Sequence, residues 1–169
     1  MHEVITPLTP LWWKGIVVSL LVISLIILFF NRASSERKLW FTKFLAYSSI
    51  LVYMTTHIVA IVAEEWNTQD FLPLHLCNIS YFICILVLLS KKQWMYEWTL
   101  LLAMPSALNA LLTPELIWGS NNWHIFEYYF THAILILVPL YLMLVMNYKL
   151  RILSWWKTFL RAQNVFLIV

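Results

Sequence analysis

Two side chains in this sequence are of types that can act as nucleophile and base: Cys77 in "LPLHLCNIS" and His132 in "EYYFTHAIL". A thiol attacks as its thiolate, and apolar surroundings disfavour that charge. A neighbouring imidazole takes the proton and holds the pair as thiolate and imidazolium. On a glycerolipid ester such a pair would form an acyl-thioester, and a second lipid hydroxyl or water would then accept the acyl group. The tetrahedral oxyanion on that path needs hydrogen-bond donors, for which Asn109, Asn78 and Tyr81 are the candidates. His57, His75 and Tyr128 complete the polar set around them.

Each of these residues has a plainer reading. Free Cys is an ordinary small apolar residue in lipid, and Cys84 reads that way. Cys77 and Cys84 are seven positions apart, about 10 Å along a helix, which is too far for a disulfide. His75, which follows Pro73, and His124 at the water boundary read equally as interface anchors. Asn78 and Asn109 serve as hydrogen-bond glue between helices. The sequon Asn78-Ile79-Ser80 lies inside an apolar run and is discounted. His57, His75, Cys77 and His132 are ligand types that suit zinc, but no tight ligand motif contains them. A non-catalytic role, as a transporter or lipid-binding subunit with a polar cavity, stands beside the enzymatic one. An ion-coupled carrier is disfavoured, because there is no mid-membrane Asp or Lys and no internal repeat. No pattern asks for a cofactor, and the expected partners are membrane lipids, not nucleic acid.

The elements that must carry these groups follow from composition. The 169 residues are 62% hydrophobic and 11% charged, with 2 Gly. Soluble domains carry about 25% charged residues, so the solvent for most side chains is lipid. Backbone groups in hydrocarbon pair internally, and an apolar run of about 20 residues does so as a helix. The expected fold class is all-α: one polytopic transmembrane bundle over 1–169, with five full spans and a partial sixth. The spans fall at about 12–30, 44–63, 71–90, 94–112 and 125–146, with the partial one at 152–169. The Trp residues gather at or near the span ends, as interfacial aromatics do. Pro105 and Pro139 predict kinks.

Ten of the 11 Lys and Arg fall in or beyond the first, third and fifth connections, and only Lys14 does not. The second connection holds Glu64, Glu65 and Asp70, and the fourth holds Glu115, with no base in either. The positive-inside rule then predicts a cell-membrane protein with an external N-terminus and basic cytoplasmic loops.

That orientation brings the polar residues to one depth. His75, Cys77 and Asn78 open the third span, while Glu127, Tyr128, Thr131 and His132 open the fifth. Thr55, Thr56 and His57 close the second, and Asn109 closes the fourth. At 1.5 Å rise per residue they share a band roughly 5–10 Å inside the outer boundary. Intramembrane polar groups are costly, so a shared band predicts a polar pocket toward the outer leaflet. Helical phase puts His75 off the face of Cys77. It also sets Glu127 about 140° around the helix from His132.

The strings "LPLHLCNIS", "ALNALLTPEL" and "EYYFTHAILILVPLYL" resemble the bacterial YwaF family of integral membrane proteins. That family is distantly similar to mammalian transmembrane protein 164, a Cys/His acyltransferase of ether phospholipids. The carrying residues are the Cys opening one span and the pattern Tyr128, Tyr129, His132, Pro139, Tyr141 and Leu142 in another. The resemblance implies Cys77 as nucleophile and His132 as its base. A more remote likeness is to androgen-induced fatty-ester hydrolases, which use a Thr/His pair in a similar bundle. Relatives of the bacterial family continue past residue 169, so the chain is expected to be C-terminally truncated. The segment 152–169 is then either an interfacial amphipathic helix or a shortened sixth span.

Overall fold

The computed structural model describes residues 3–71, 75–116 and 121–167. Thr9 accepts a hydrogen bond from the Trp12 amide and Pro10 takes the first helical position, so α1 runs Pro10–Asn31. Ser34 accepts from the Arg37 amide and starts α2, Ser35–Val62. This cap draws Glu36, Arg37 and Lys38 into the helix, which therefore begins well before the apolar run at Phe44. A single turn, α3 at Thr68–Phe71, precedes α4, Leu76–Ser90. Residues 72–74, with Pro73, lie outside the described residues; within the expected span at 71–90, Phe71 ends α3 and Leu76–Ser90 form α4.

The expected fourth span is also subdivided. It comprises α5 (Gln93–Trp98), a π-helical stretch at Thr99–Ala103, and α6 (Met104–Leu112). Pro105 has no N–H to give the turn before it, and the widened turn lies directly ahead of it. Asn121 Oδ1 accepts from the His124 amide and starts α7, Asn122–Leu144, which continues through Pro139. The last helix is α8, Ser154–Phe166.

Three of these helices, α1, α2 and α7, are long and apolar enough to cross a membrane. α4 is apolar but only 15 residues long. α7 is the central helix: half of its apolar window is buried, against 11% for α1. It packs against α1, α2, α4 and α6, with Leu135, Val138 and Tyr141 fully enclosed. Outer helices show the reverse, with Leu20, Leu21, Leu25 and Phe29 of α1 exposed. Such apolar exposure is what lipid solvation allows and water does not.

The connections gather at two ends. At one, a two-residue strand β1 (Glu3–Val4) pairs antiparallel with β2 (Glu115–Leu116), and Trp12 Nε1 donates to the Leu112 carbonyl at 2.9 Å. Glu65 stands 3.8 Å from His124 at the same end. At the other, Lys38 Nζ donates to Val145 O at 3.3 Å, Tyr148 to Lys91 O at 3.3 Å, and Gln93 to Lys149 O at 2.7 Å. The basic connections thus meet one another, while of the acidic ones the fourth pairs with the N-terminal segment and the second meets the start of α7.

Candidate functional site

A cavity of about 430 Å³ lies between α4, α6 and α7, toward the acidic end. α7 lines it with His124, Glu127, Tyr128, Thr131 and His132, one helical face at spacings of three and four. α6 answers with Ser106, Asn109, Ala110 and Thr113, spaced the same way. From α4 and its lead-in come His75, Cys77 and Asn78. A smaller chamber of about 40 Å³ adjoins it and shares Cys77, Asn78, Glu127, Thr131 and His132. Tyr53, His57, Phe71 and Tyr81 close that chamber. All eight residues singled out from the sequence therefore line one or both spaces.

One phase argument does not survive the local backbone. His75 precedes the helix in an extended conformation (φ −75°, ψ 144°), so the i, i+2 rule that separates it from Cys77 does not govern it. Glu127 and His132 lie at the two margins of that α7 face, which agrees with the roughly 140° between them.

His132 is fixed on two sides. Its Nδ1 lies 2.7 Å from the Tyr128 carbonyl, and its ring sits 4.3 Å from the Tyr128 ring. A carbonyl only accepts, so Nδ1 carries the hydrogen and Nε2 is left as the acceptor. The Tyr128 hydroxyl donates to Ala110 O at 2.7 Å and ties α7 to α6. The Cys77 thiol donates to Ser106 Oγ at 3.9 Å, and Ser106 in turn donates to Ala103 O at 2.9 Å, at the end of the π-helical stretch.

The supporting groups divide by what they already bond. Tyr81 donates its hydroxyl to Ser49 O at 3.0 Å, between α4 and α2. His57 Nδ1 accepts from Trp66 Nε1 at 3.1 Å, and its ring lies 4.4 Å from Tyr53. Asn78 and Asn109 both line the cavity. Cys84 is fully buried in the apolar core, as its plainer reading has it. The carboxylates on the wall are Glu115 and Glu127, and no Lys or Arg is among the lining residues.

Ser106 is a site residue that sequence reasoning missed. Its signal was its place three before Asn109 and directly after Pro105, where a helix turn must open. His124 was read as a boundary anchor and is instead 2% exposed, on the cavity wall. Among the described residues, no group of three or more His, Cys, Asp or Glu is placed to hold a metal ion.

No curated protein and no solved structure matches the chain. A family model does match, over residues 5–169, which takes in every helix and every cavity residue described above. The chain belongs to the TMEM164 family.

Proposed function

We propose that this protein crosses the cell membrane five times, with its N-terminus outside, and transfers acyl groups between membrane lipids through a Cys77–His132 pair. The five crossings are supported by the way the connections sort: the N-terminal segment, the second and the fourth meet at one end, the first, third and fifth at the other. Lys and Arg mark the second end as cytoplasmic. The strings around Cys77, Asn109 and His132 support reading the chain as a bacterial, YwaF-type member of its family.

The observation that carries the chemistry is that Cys77 and His132 line the same cavity, with His132 Nε2 free to accept a proton. In the first step the Cys77 proton passes to His132 Nε2 and sulfur attacks the ester carbonyl carbon. The ester C–O bond breaks, and the leaving lipid oxygen takes the proton back from His132. In the second step a lipid hydroxyl or water gives its proton to His132, and its oxygen attacks the thioester carbonyl. The C–S bond then breaks and the thiol is reprotonated. Asn78 and Asn109 are the donors for the oxyanion. Ser106, which accepts from the thiol at rest, orients the sulfur.

A second reading has its own support. The hydrogen-bond partner of Cys77 is Ser106, and no Cys77–His132 hydrogen bond forms among the described residues. Catalytic contacts often tighten only with substrate, but a lipid-binding cavity without chemistry also fits a resting thiol. A phospholipid analogue with a thiol-reactive acyl group, added to the protein in membranes, separates the two. Under the transferase reading it modifies Cys77, and His132→Gln slows the modification. A binding cavity gives reversible, Cys77-independent occupancy.

A further inference from the structure

The nine residues between α7 and α8 turn sharply, with Asn147 and Leu153 both left-handed (φ 59° and 63°). α8 then packs on α5 and the π-helical stretch. Its contacts fix its direction. Arg151, just before the helix, donates to Glu97 from Nε at 2.8 Å and from Nη2 at 3.3 Å. Arg161, in the second turn, reaches the same carboxylate at 3.9 Å and lies over the Trp94 ring, 5.5 Å from its centroid. From Ser154 to Arg161 a helix rises about 10 Å. If α8 descended into the membrane beside α5, Arg161 would meet residues beyond Glu97. It stays at the level of Glu97 and Trp94, where Arg151, ten residues earlier, also bonds. α8 therefore runs across that end.

The faces of α8 differ in kind. Ser154, Thr158 and Ala162 are buried against the bundle. On the opposite side Trp155, Trp156, Phe159 and Leu160 are 44–64% exposed, continued by Ile152 before the helix and Leu167 after it. Gln163 is exposed on that side as well. Lys157 on the helix and Lys149 before it are exposed as well. An aromatic face flanked by bases is the composition of a helix that lies in a membrane interface. Basic groups at the cytoplasmic surface meet anionic lipids.

We infer that α8 anchors the protein to the cytoplasmic leaflet: it lies in the membrane plane, sinks Trp155, Trp156, Phe159 and Leu160 below the head groups, and holds anionic lipid phosphates on Lys149 and Lys157. The clamp of Glu97 on Arg151 sets the roll of the helix so that this face meets lipid. The inference rests on the basic end being cytoplasmic, and it is independent of the Cys77 chemistry.

Nitroxide labels test it, placed singly at Trp156, Lys157, Phe159 and Asn164 of the full chain carrying Cys77→Ala and Cys84→Ala. The vesicles are phosphatidylcholine alone, or with an equal part of phosphatidylglycerol. Oxygen is expected to relax the labels at Trp156 and Phe159 strongly, at one shared shallow depth. A water-soluble nickel chelate is expected to reach those at Lys157 and Asn164. Phosphatidylglycerol should slow the Phe159 label, and Lys149→Gln with Lys157→Gln should abolish that slowing. A depth that increases steadily from Trp156 to Asn164 would make α8 a crossing and overturn the proposal. So would access of nickel to all four labels, or shielding of Trp156 and Phe159 that dilution into excess lipid relieves, the sign of a second copy. Equal mobility in both lipids would remove the anionic partner. The native-cysteine chain gives an independent reading. Lipids brominated near the head group should quench tryptophan emission, and Trp155→Phe with Trp156→Phe should remove part of that quenching. External labelling of the basic loops would instead defeat the orientation on which the inference rests.

Discussion

His132 Nδ1 stands 2.7 Å from the carbonyl oxygen of Tyr128, the residue one turn before it. The contact uses backbone, so it outlasts any change of the Tyr128 side chain. His132→Gln is expected to lower acyl exchange by about 10²–10⁴, the usual weight of a positioned base. Tyr128→Phe keeps the carbonyl and loses the hydroxyl bond to Ala110. A neutral hydrogen bond contributes about 1 kcal/mol net, or roughly fivefold. Acyl exchange between labelled lipids in proteoliposomes measures both. Equal losses in the two variants would assign the effect to packing between α6 and α7 rather than to the base.

Ser106 offers a second test at the same site. Ser106→Ala removes the acceptor of the Cys77 thiol proton and leaves the helix backbone unchanged. Alkylation of Cys77 by a neutral maleimide, followed against pH, is expected to shift its midpoint in Ser106→Ala and to recover in Ser106→Thr. A midpoint that does not move would take Ser106 out of the site.

The ends of the bundle are tested by labelling. On a Cys77→Ala background, single cysteines near Glu65 and Glu115 are expected to react with an impermeant maleimide on intact cells. Cysteines near Arg37 and Lys92 are expected to react only after the membrane is opened. Cys77 must be removed because it lines the cavity itself, whereas Cys84 is fully buried. The reverse pattern would put the cavity in the inner leaflet.

Gly15 lets α1 approach α7. A Cβ built there falls within the ring of Tyr129, so Gly15→Val must displace an aromatic side chain or separate the helices. Overpacking of this kind typically costs about 1–3 kcal/mol. Thermal unfolding in detergent is expected to show the loss, and Tyr129→Leu on the same chain is expected to recover part of it. An unchanged midpoint in Gly15→Val would show that the α1–α7 contact is loose.

Glu97 is fully buried in the last turn of α5 and bonds Arg151. Glu97→Gln keeps the shape and removes the charge that both Arg151 and Arg161 face. Limited proteolysis in the 145–153 connection is expected to quicken several-fold, with Glu36→Gln as a neutral control. No change in cleavage would mean that α8 is held by Ser154, Thr158 and Ala162 alone.

The sequence by itself determined the solvent, the helical class and the two ends. Apolar runs near 20 residues can satisfy their backbone in lipid in one way, and the placement of ten bases needed no coordinates. It also brought Cys77, Asn109 and His132 to one depth, because rise per residue is constant along a helix. Rotation and breaks were decided elsewhere. His75 reaches the wall beside Cys77 because the chain is still extended there, and Ser106 meets the thiol where the π-helical stretch ends. Both depend on local backbone: the extended His75 ahead of α4 and the π-helical turn ahead of α6. Which base meets Glu97 is not written in the sequence; in the structure Arg151, 54 residues later, lies on it. Depth is a one-dimensional property, and a sequence carries it. Facing is set by which helix packs against which, and only the tertiary structure contains that.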